Sequence, residues 1–358
     1  EFRRVLFRSQ SAGMAGGLDG SGVLDERHVL LGQHSGGLSQ GLTVDARSGL
    51  LGTLAGNAVL NADSIARSGA ADLQLSTPGD LHLVGDVALS VDRRLTLDAQ
   101  ALRADEAHQV SLSAASVALN GPEQLGQYQG YTVTQREAAS GGSATLAVSA
   151  RAGMSLSGQL ATAGLGALTL RADGGLQLLD GQLTVPADLS LQAPVVSTGT
   201  GTQYTIDASG QRVAVSGGQA SAATPMSAGG RLTVIAREIE QGGVLRAPNG
   251  QIALQASESL TLASGSVTSV AAAAGQTLYG TYNSTSDVWR GLDGNSADST
   301  GSVLNAAPTK SVSLEAADVA VQAGATIDAR GRGTLVASEF VAGSGGSQRS
   351  KEHTSELQ

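Results

Sequence analysis

The chain has 358 residues, 49 of them Gly and only 3% aromatic, so its 41% apolar share rests on Ala, Val and Leu. Such residues suit a thin, tightly stacked core rather than a thick aromatic one. A formal net charge of −9, with Lys only at 310 and 351, leaves no basic stripe and argues against nucleic-acid binding.

Residues 1–9 read Glu-Phe-Arg-Arg-Val-Leu-Phe-Arg-Ser, and residues 349–357 read Arg-Ser-Lys-Glu-His-Thr-Ser-Glu-Leu. Back-translated, the second string is the reverse complement of the first, apart from one base at Lys351. Protein evolution does not produce such an inverted repeat, and the DNA resembles a common sequencing-library adapter. Residues 1–9 and most of 348–358 are therefore read as artefact and set aside. The natural chain is expected to continue on both sides, so a missing signal peptide carries no information on localisation. Residues 10–40 read as an irregular N-terminal segment.

From residue 41 a short pattern recurs: apolar-x-apolar, often followed by Ala. It runs through Leu73-Gln-Leu75, Leu95-Thr-Leu97-Asp-Ala99 and Val117-Ala-Leu119 in residues 41–120. It continues through Leu146-Ala-Val148-Ser-Ala150, Leu168-Thr-Leu170-Arg-Ala172, Leu189-Ser-Leu191-Gln-Ala193, Leu232-Thr-Val234-Ile-Ala236 and Ile252-Ala-Leu254-Gln-Ala256 in residues 144–270. It returns as Val312-Ser-Leu314-Glu-Ala316 and Val319-Ala-Val321-Gln-Ala323 in residues 309–347, which end Gly-rich. Alternation at period two predicts strands with one face in and one out, and Gly, Asn, Asp and Pro between them predict turns.

Spacing selects among β architectures. Leu73 to Leu95, Leu95 to Val117 and Leu146 to Leu168 are each 22 residues, Leu168 to Leu189 is 21 and Leu189 to Val213 is 24. Val213 to Leu232 is 19 and Leu232 to Ile252 is 20. A repeat of 20–24 residues holding two or three short strands predicts an all-β fold, a right-handed parallel β-helix (β-solenoid) whose coils stack at about 4.8 Å. About a dozen coils would give a rod of roughly 60 Å. A sandwich or barrel would need longer strands and more aromatics.

Two segments interrupt the period and read as inserted loops, residues 121–143 and 271–308. They hold Tyr128, Tyr131, Tyr279, Tyr282 and Trp289, which is four of the five Tyr and the only Trp. These five are the candidate surface contacts, with glycan or protein as the partner. The alternative is that they pack each loop onto the body.

No catalytic, metal or cofactor residues are assigned. Asp72, Asp80, Asp86, Asp92 and Asp98 follow the strand-turn rhythm and mark strand ends rather than the clustered carboxylates of a polysaccharide-acting β-helix. An acidic ladder binding a cation would require stacking to bring some into register. Residues 287–298 are oxygen-rich but lack calcium-loop spacing. His28, His34, His82 and His108 show no metal or triad spacing and read as solvated turns. No run of about 18 apolar residues predicts a membrane-spanning helix.

The ladder, the Gly/Ala/Ser richness, the period and the absence of Cys together resemble the repeat regions of filamentous-haemagglutinin-family exoproteins over most of residues 40–347. A more specific stretch is Gly324-Ala-Thr-Ile-Asp328-Ala-Arg-Gly331-Arg-Gly333-Thr-Leu, followed by Glu339-Phe340 and Gly343-Ser-Gly345-Gly346-Ser347. It is similar to a segment of the large outer-membrane members, with Arg332 and Thr334 in place of Gly and Asp, and Ala342 where Pro is common. The resemblance implies two-partner secretion: passage through an outer-membrane transporter barrel, folding outside the cell, and adhesion at the bacterial surface to host or neighbouring-cell glycans or proteins. Zero Cys suits a chain that crosses a membrane unfolded. The expectation is a non-catalytic adhesin segment, secreted or outer-membrane associated. The alternatives are the stalk of a contact-dependent toxin-delivery exoprotein or a polysaccharide-acting β-helix enzyme. The fragment is expected to self-associate end to end through raw coil edges.

Overall fold

The computed structural model describes residues 4–8, 29–33, 58–77, 79–105, 107–122, 127–128, 131–132, 138–218, 223–283, 287–291 and 303–338. They are almost entirely β. One sheet contains 23 strands, and all of its pairings are parallel.

Like residues stack on like. One column, buried as far as Leu260, runs Val87, Val110, Leu146, Leu168, Leu189, Val213, Ile239 and Leu260 to Val319, each the backbone partner of the next. A second runs Leu73, Leu95, Val117, Met154, Leu176, Val196 and Leu245. Between inward residues stand polar ones that face out, as Gln74 does between Leu73 and Leu75. The period-two pattern thus becomes one apolar core running along the stack.

Some buried positions are polar, and Gln241 shows how one is accommodated. Gln241 follows Val215 in its column and precedes Leu262, and it is wholly buried. Its amide donates to the carbonyls of Gly243 and Val267, at 3.1 and 3.0 Å, and accepts from Gly243 N–H. The side chain closes the turn after its own strand, so its polar atoms are satisfied inside the core.

The spacing from Val213 to Leu232 is not a pairing. Val213 lies beside Ile239, and Leu232 lies beside Tyr204 and Ile252. The two motifs belong to different columns, and an apolar-x-apolar string carries no mark of its column. The registers also jump at the interruptions: Val117 meets Met154, Val196 meets Leu245 and Ile252 meets Val312. The middle jump brackets residues 217–230, where the sequence showed no break in rhythm.

The two ends differ. At the N-terminal end a short helix, Ala62–Arg67, buries Ala62 and Ile65 against the core, and Asn61 caps it by accepting from Ser64 N–H at 2.9 Å. Gln33 ties this cap to the edge strand: its amide donates to Asp63 and accepts from the backbone of Ala88, both at 2.6 Å. Arg4–Arg8, inside the segment read as adapter-derived, pairs in parallel with Asp72–Ser76. An open strand edge accepts any extended segment, so this pairing does not require a native one. At the C-terminal end Ser311–Glu315, Asp318–Val321 and Thr326–Asp328 pair on one edge only among the described residues, leaving Val321 54% exposed.

Among the described residues no helix is long and apolar enough to cross a membrane. Residues 10–28, 34–57 and 339–358, including His28, His34 and Glu339-Phe340, lie outside the described residues.

Candidate functional site

Inside residues 271–308, Gln276–Asn283 and Val288–Gly291 form an antiparallel hairpin, and Gln276–Asn283 also pairs in parallel with Thr334–Ser338. Asp287 occupies the left-handed region at φ 53, which Asp tolerates in turns. Its carboxylate accepts the Tyr282 hydroxyl at 2.5 Å. Tyr282 and Trp289 are directly opposite across the hairpin, the position in which aromatic pairs stabilise a two-stranded ribbon.

The pairing with Thr334–Ser338 slips by one residue. Leu278 meets Val336 and Gly280 meets Ala337, so Tyr279 is the extra residue of a bulge. A bulge re-aims its side chain. Tyr279 and Trp289 line one cavity of about 240 Å³ with Leu304, Asn305, Ala306, Ala307 and Leu335. Leu304 N–H donates to the Trp289 carbonyl at 2.8 Å and fixes that wall.

Two glycines seat the rings. A Cβ on Gly280 would lie 2.1 Å from Trp289 Nε1, and a Cβ on Gly229 would lie 2.5 Å from the Tyr279 ring. Tyr279 thereby joins the hairpin to residues 227–230, whose backbone bonds to Gly201 and Pro248. The indole Nε1 is buried with no hydrogen-bond partner among the described residues. Tyr279, Tyr282 and Trp289 are all half-buried.

Of the five aromatic candidates, the structure brings Tyr279, Tyr282 and Trp289 together. Tyr128 and Tyr131 pair with each other in a separate ribbon, Gln127–Tyr128 with Tyr131–Thr132. No local pattern marks Leu304–Ala307 or Leu335 as lining, because only the folding of the insertion delivers them.

The acidic residues have other work. Asp86, Asp180 and Asp188 accept the backbone N–H of Gln109, Gln203 and Arg212 in the neighbouring rung, at 2.8, 2.8 and 3.0 Å. The Gln109 N–H, and then His108, hold the Asp86 carboxyl below its usual pKa. Asp72 pairs with Arg93, and Asp80 with Arg103. His82 meets Asp105 at 2.5 Å and His108 meets Asp86 at 3.3 Å, so both described histidines have carboxylate partners that linear spacing hid. Asp98 accepts from Gln74 and Ser76, at 2.7 and 2.6 Å, and from Asn120 at 2.6 Å, forming a polar ladder that Ser157 extends. Among the described residues no three His, Asp or Glu side chains form a cation-binding group.

Near the C-terminal end, Ser197, Arg246, Ser269 and Asp328 stand in one column. Burial depresses the Arg246 pKa, and Asp328 opposes that shift. Arg330 donates to Asp328 at 2.7 and 2.8 Å and lowers the Asp328 pKa to about 2.

No known protein family, curated protein or solved structure matches the chain. The candidate site is therefore defined by its own geometry: a cavity lined, among the described residues, by aromatic and other uncharged residues, on a hairpin paired with Thr334–Ser338.

Proposed function

We propose that the chain is a right-handed parallel β-helix, a non-catalytic structural segment of a large secreted bacterial surface protein of the filamentous-haemagglutinin type. In this reading the stack projects from the cell surface and the aromatic hairpin faces outward for adhesion to glycans or proteins of a host or neighbouring cell. The observation that carries it is the Val87–Val319 column, in which each rung presents the same residue class at the same place. At about 4.8 Å per step that column spans roughly 40 Å. The right hand follows the general preference of parallel crossovers. The carboxylates support a scaffold, since they cap backbone and pair with Arg or His instead of converging on a groove. During secretion the partner is an outer-membrane transporter barrel, and the isolated fragment self-associates through its uncovered end.

The test is adhesion by residues 10–347 as a purified chain. Saturable binding to a glycan panel or to epithelial or bacterial cells, together with a single β-type circular dichroism minimum near about 218 nm, is the expected result. A strongly helical spectrum, or no binding to any of these surfaces, would overturn the reading.

A further inference from the structure

We propose that the cavity between Tyr279, Trp289 and Asn305 binds a single uncharged pyranose ring. This rests on the reading of the hairpin as a ligand-contact face and names the ligand class for it. Three observations carry the assignment. Two aromatic side chains line the same small space, whereas Tyr282 bonds to Asp287 outside that lining and Tyr204 is fully buried in the core. Aromatic rings bind the C–H faces of a sugar, and the amide of Asn305 suits its hydroxyl rim. Among the described residues no Asp, Glu, Lys or Arg lines the cavity, so a charged ligand would lose its water without gaining a counter-ion from them.

The third observation is size and stiffness. At about 240 Å³ the cavity is below the range of about 300–1,000 Å³ usual for larger ligands, which limits it to one ring. Its walls are already tied together by the Leu304–Trp289 backbone bond and by the Tyr279 ring seated on Gly229. A site formed before binding spends little free energy on ordering.

Trp289 is the only Trp in the chain, so its emission reports on this cavity alone. Methyl glycosides of glucose, galactose, mannose and N-acetylglucosamine would be titrated into the full chain, with methyl glucuronoside as the charged probe. The expected result is a saturable emission change with at least one neutral glycoside, at a Kd on the order of 1 mM for so small a ligand. The glucuronoside should bind at least about tenfold more weakly, by the cost of an unpaired charge. Ala306→Phe, at an exposed wall position, should fill the cavity and abolish the response with the β spectrum unchanged. No response to any neutral glycoside, an equal response to the charged one, or an unchanged response in A306F would each overturn the assignment. If A306F still adheres to glycans or cells while wild-type emission stays silent, the cavity proposal fails and the adhesin reading stands.

Discussion

The Asp180 carboxylate, at the register shift within Leu176–Thr184, accepts the backbone N–H of Gln203 at 2.8 Å, and so holds the start of one strand to the strand before it. The same device recurs between Asp188 and Arg212 and between Asp86 and Gln109. The device serves places where a strand begins or the ladder shifts register, as beside Asp180 and Arg212: a backbone N–H there needs an acceptor, and a carboxylate supplies one. Asp180→Ala should lower unfolding stability by about 1 kcal/mol. Asp180→Asn keeps an acceptor oxygen and should lose less. Urea denaturation of both variants checks the ordering, and equal losses would deny the hydrogen bond its role.

Core columns should respond according to depth. Leu168 is 1% exposed between Leu146 and Leu189, whereas Val319 at the end of the same column is 42% exposed. Leu168→Ala should cost about 2–5 kcal/mol through lost burial and the cavity left behind. Val319→Ala should cost less than about 1 kcal/mol because much of its side chain already meets water. Thermal unfolding of the pair is the measurement.

The strands were legible because alternation survives in any half-buried ladder, and the neighbours were legible wherever the 21–24-residue offset held, as from Leu146 to Leu168 to Leu189. Charges obey the same offset: Asp72 pairs with Arg93, Asp86 with His108 and Asp80 with Arg103, at 21, 22 and 23 residues. The step from Val213 to Leu232 resembles a pairing without being one, because the repeat motif looks the same in every column. Tyr279 and Trp289 stood out by breaking the rhythm, but Leu304 and Leu335 reach the cavity through the path of the insertion, which no local pattern encodes.

Tyr204 is the aromatic that the rhythm absorbed. It lies between Gly181 and Leu232 in adjacent rungs, so a glycine below makes room for a ring in a column built for smaller side chains. Burial pushes its hydroxyl pKa up, and that hydroxyl has no partner among the described residues. Tyr204→Phe removes the unpaired group with little change in shape and should raise stability by about 1 kcal/mol. Tyr204→Ala should cost about 3–5 kcal/mol, in line with other large aromatic truncations. A destabilised Y204F in calorimetry would mean that the hydroxyl is satisfied in solution.

Asp328 sets a pH dependence with a defined sign. Its folded pKa, about 2, lies below the ordinary value of 3.8 because Arg330 donates to the ionised carboxylate. A depressed folded pKa contributes stability that is fully present above the unfolded pKa and is lost as pH falls through the folded one. Wild type should therefore exceed Asp328→Asn in melting temperature at neutral pH. The gap should close between about pH 4 and about pH 2. A gap constant across that window would assign the difference to packing rather than to charge.

Gly280 is fixed by what lies over it rather than by its own backbone. The Trp289 nitrogen sits 2.1 Å from where a Cβ would be, so Gly280→Ala must push the indole away or open the hairpin. The position lies in an insertion outside the main columns, so the parallel stack should survive with its β spectrum unchanged. The single Trp should then move toward water, shifting its emission to longer wavelength and raising its accessibility to iodide or acrylamide quenching. Because Trp289 and Tyr279 share the cavity, the same change should weaken any ligand response there, whereas Gly210→Ala, where no atom lies within 4 Å of the added carbon but φ is +80, should disturb its own turn and leave Trp289 emission unmoved. Identical emission from wild type and G280A would show that the ring does not rest on Gly280 in solution, and the geometry of the aromatic site would have to be revised.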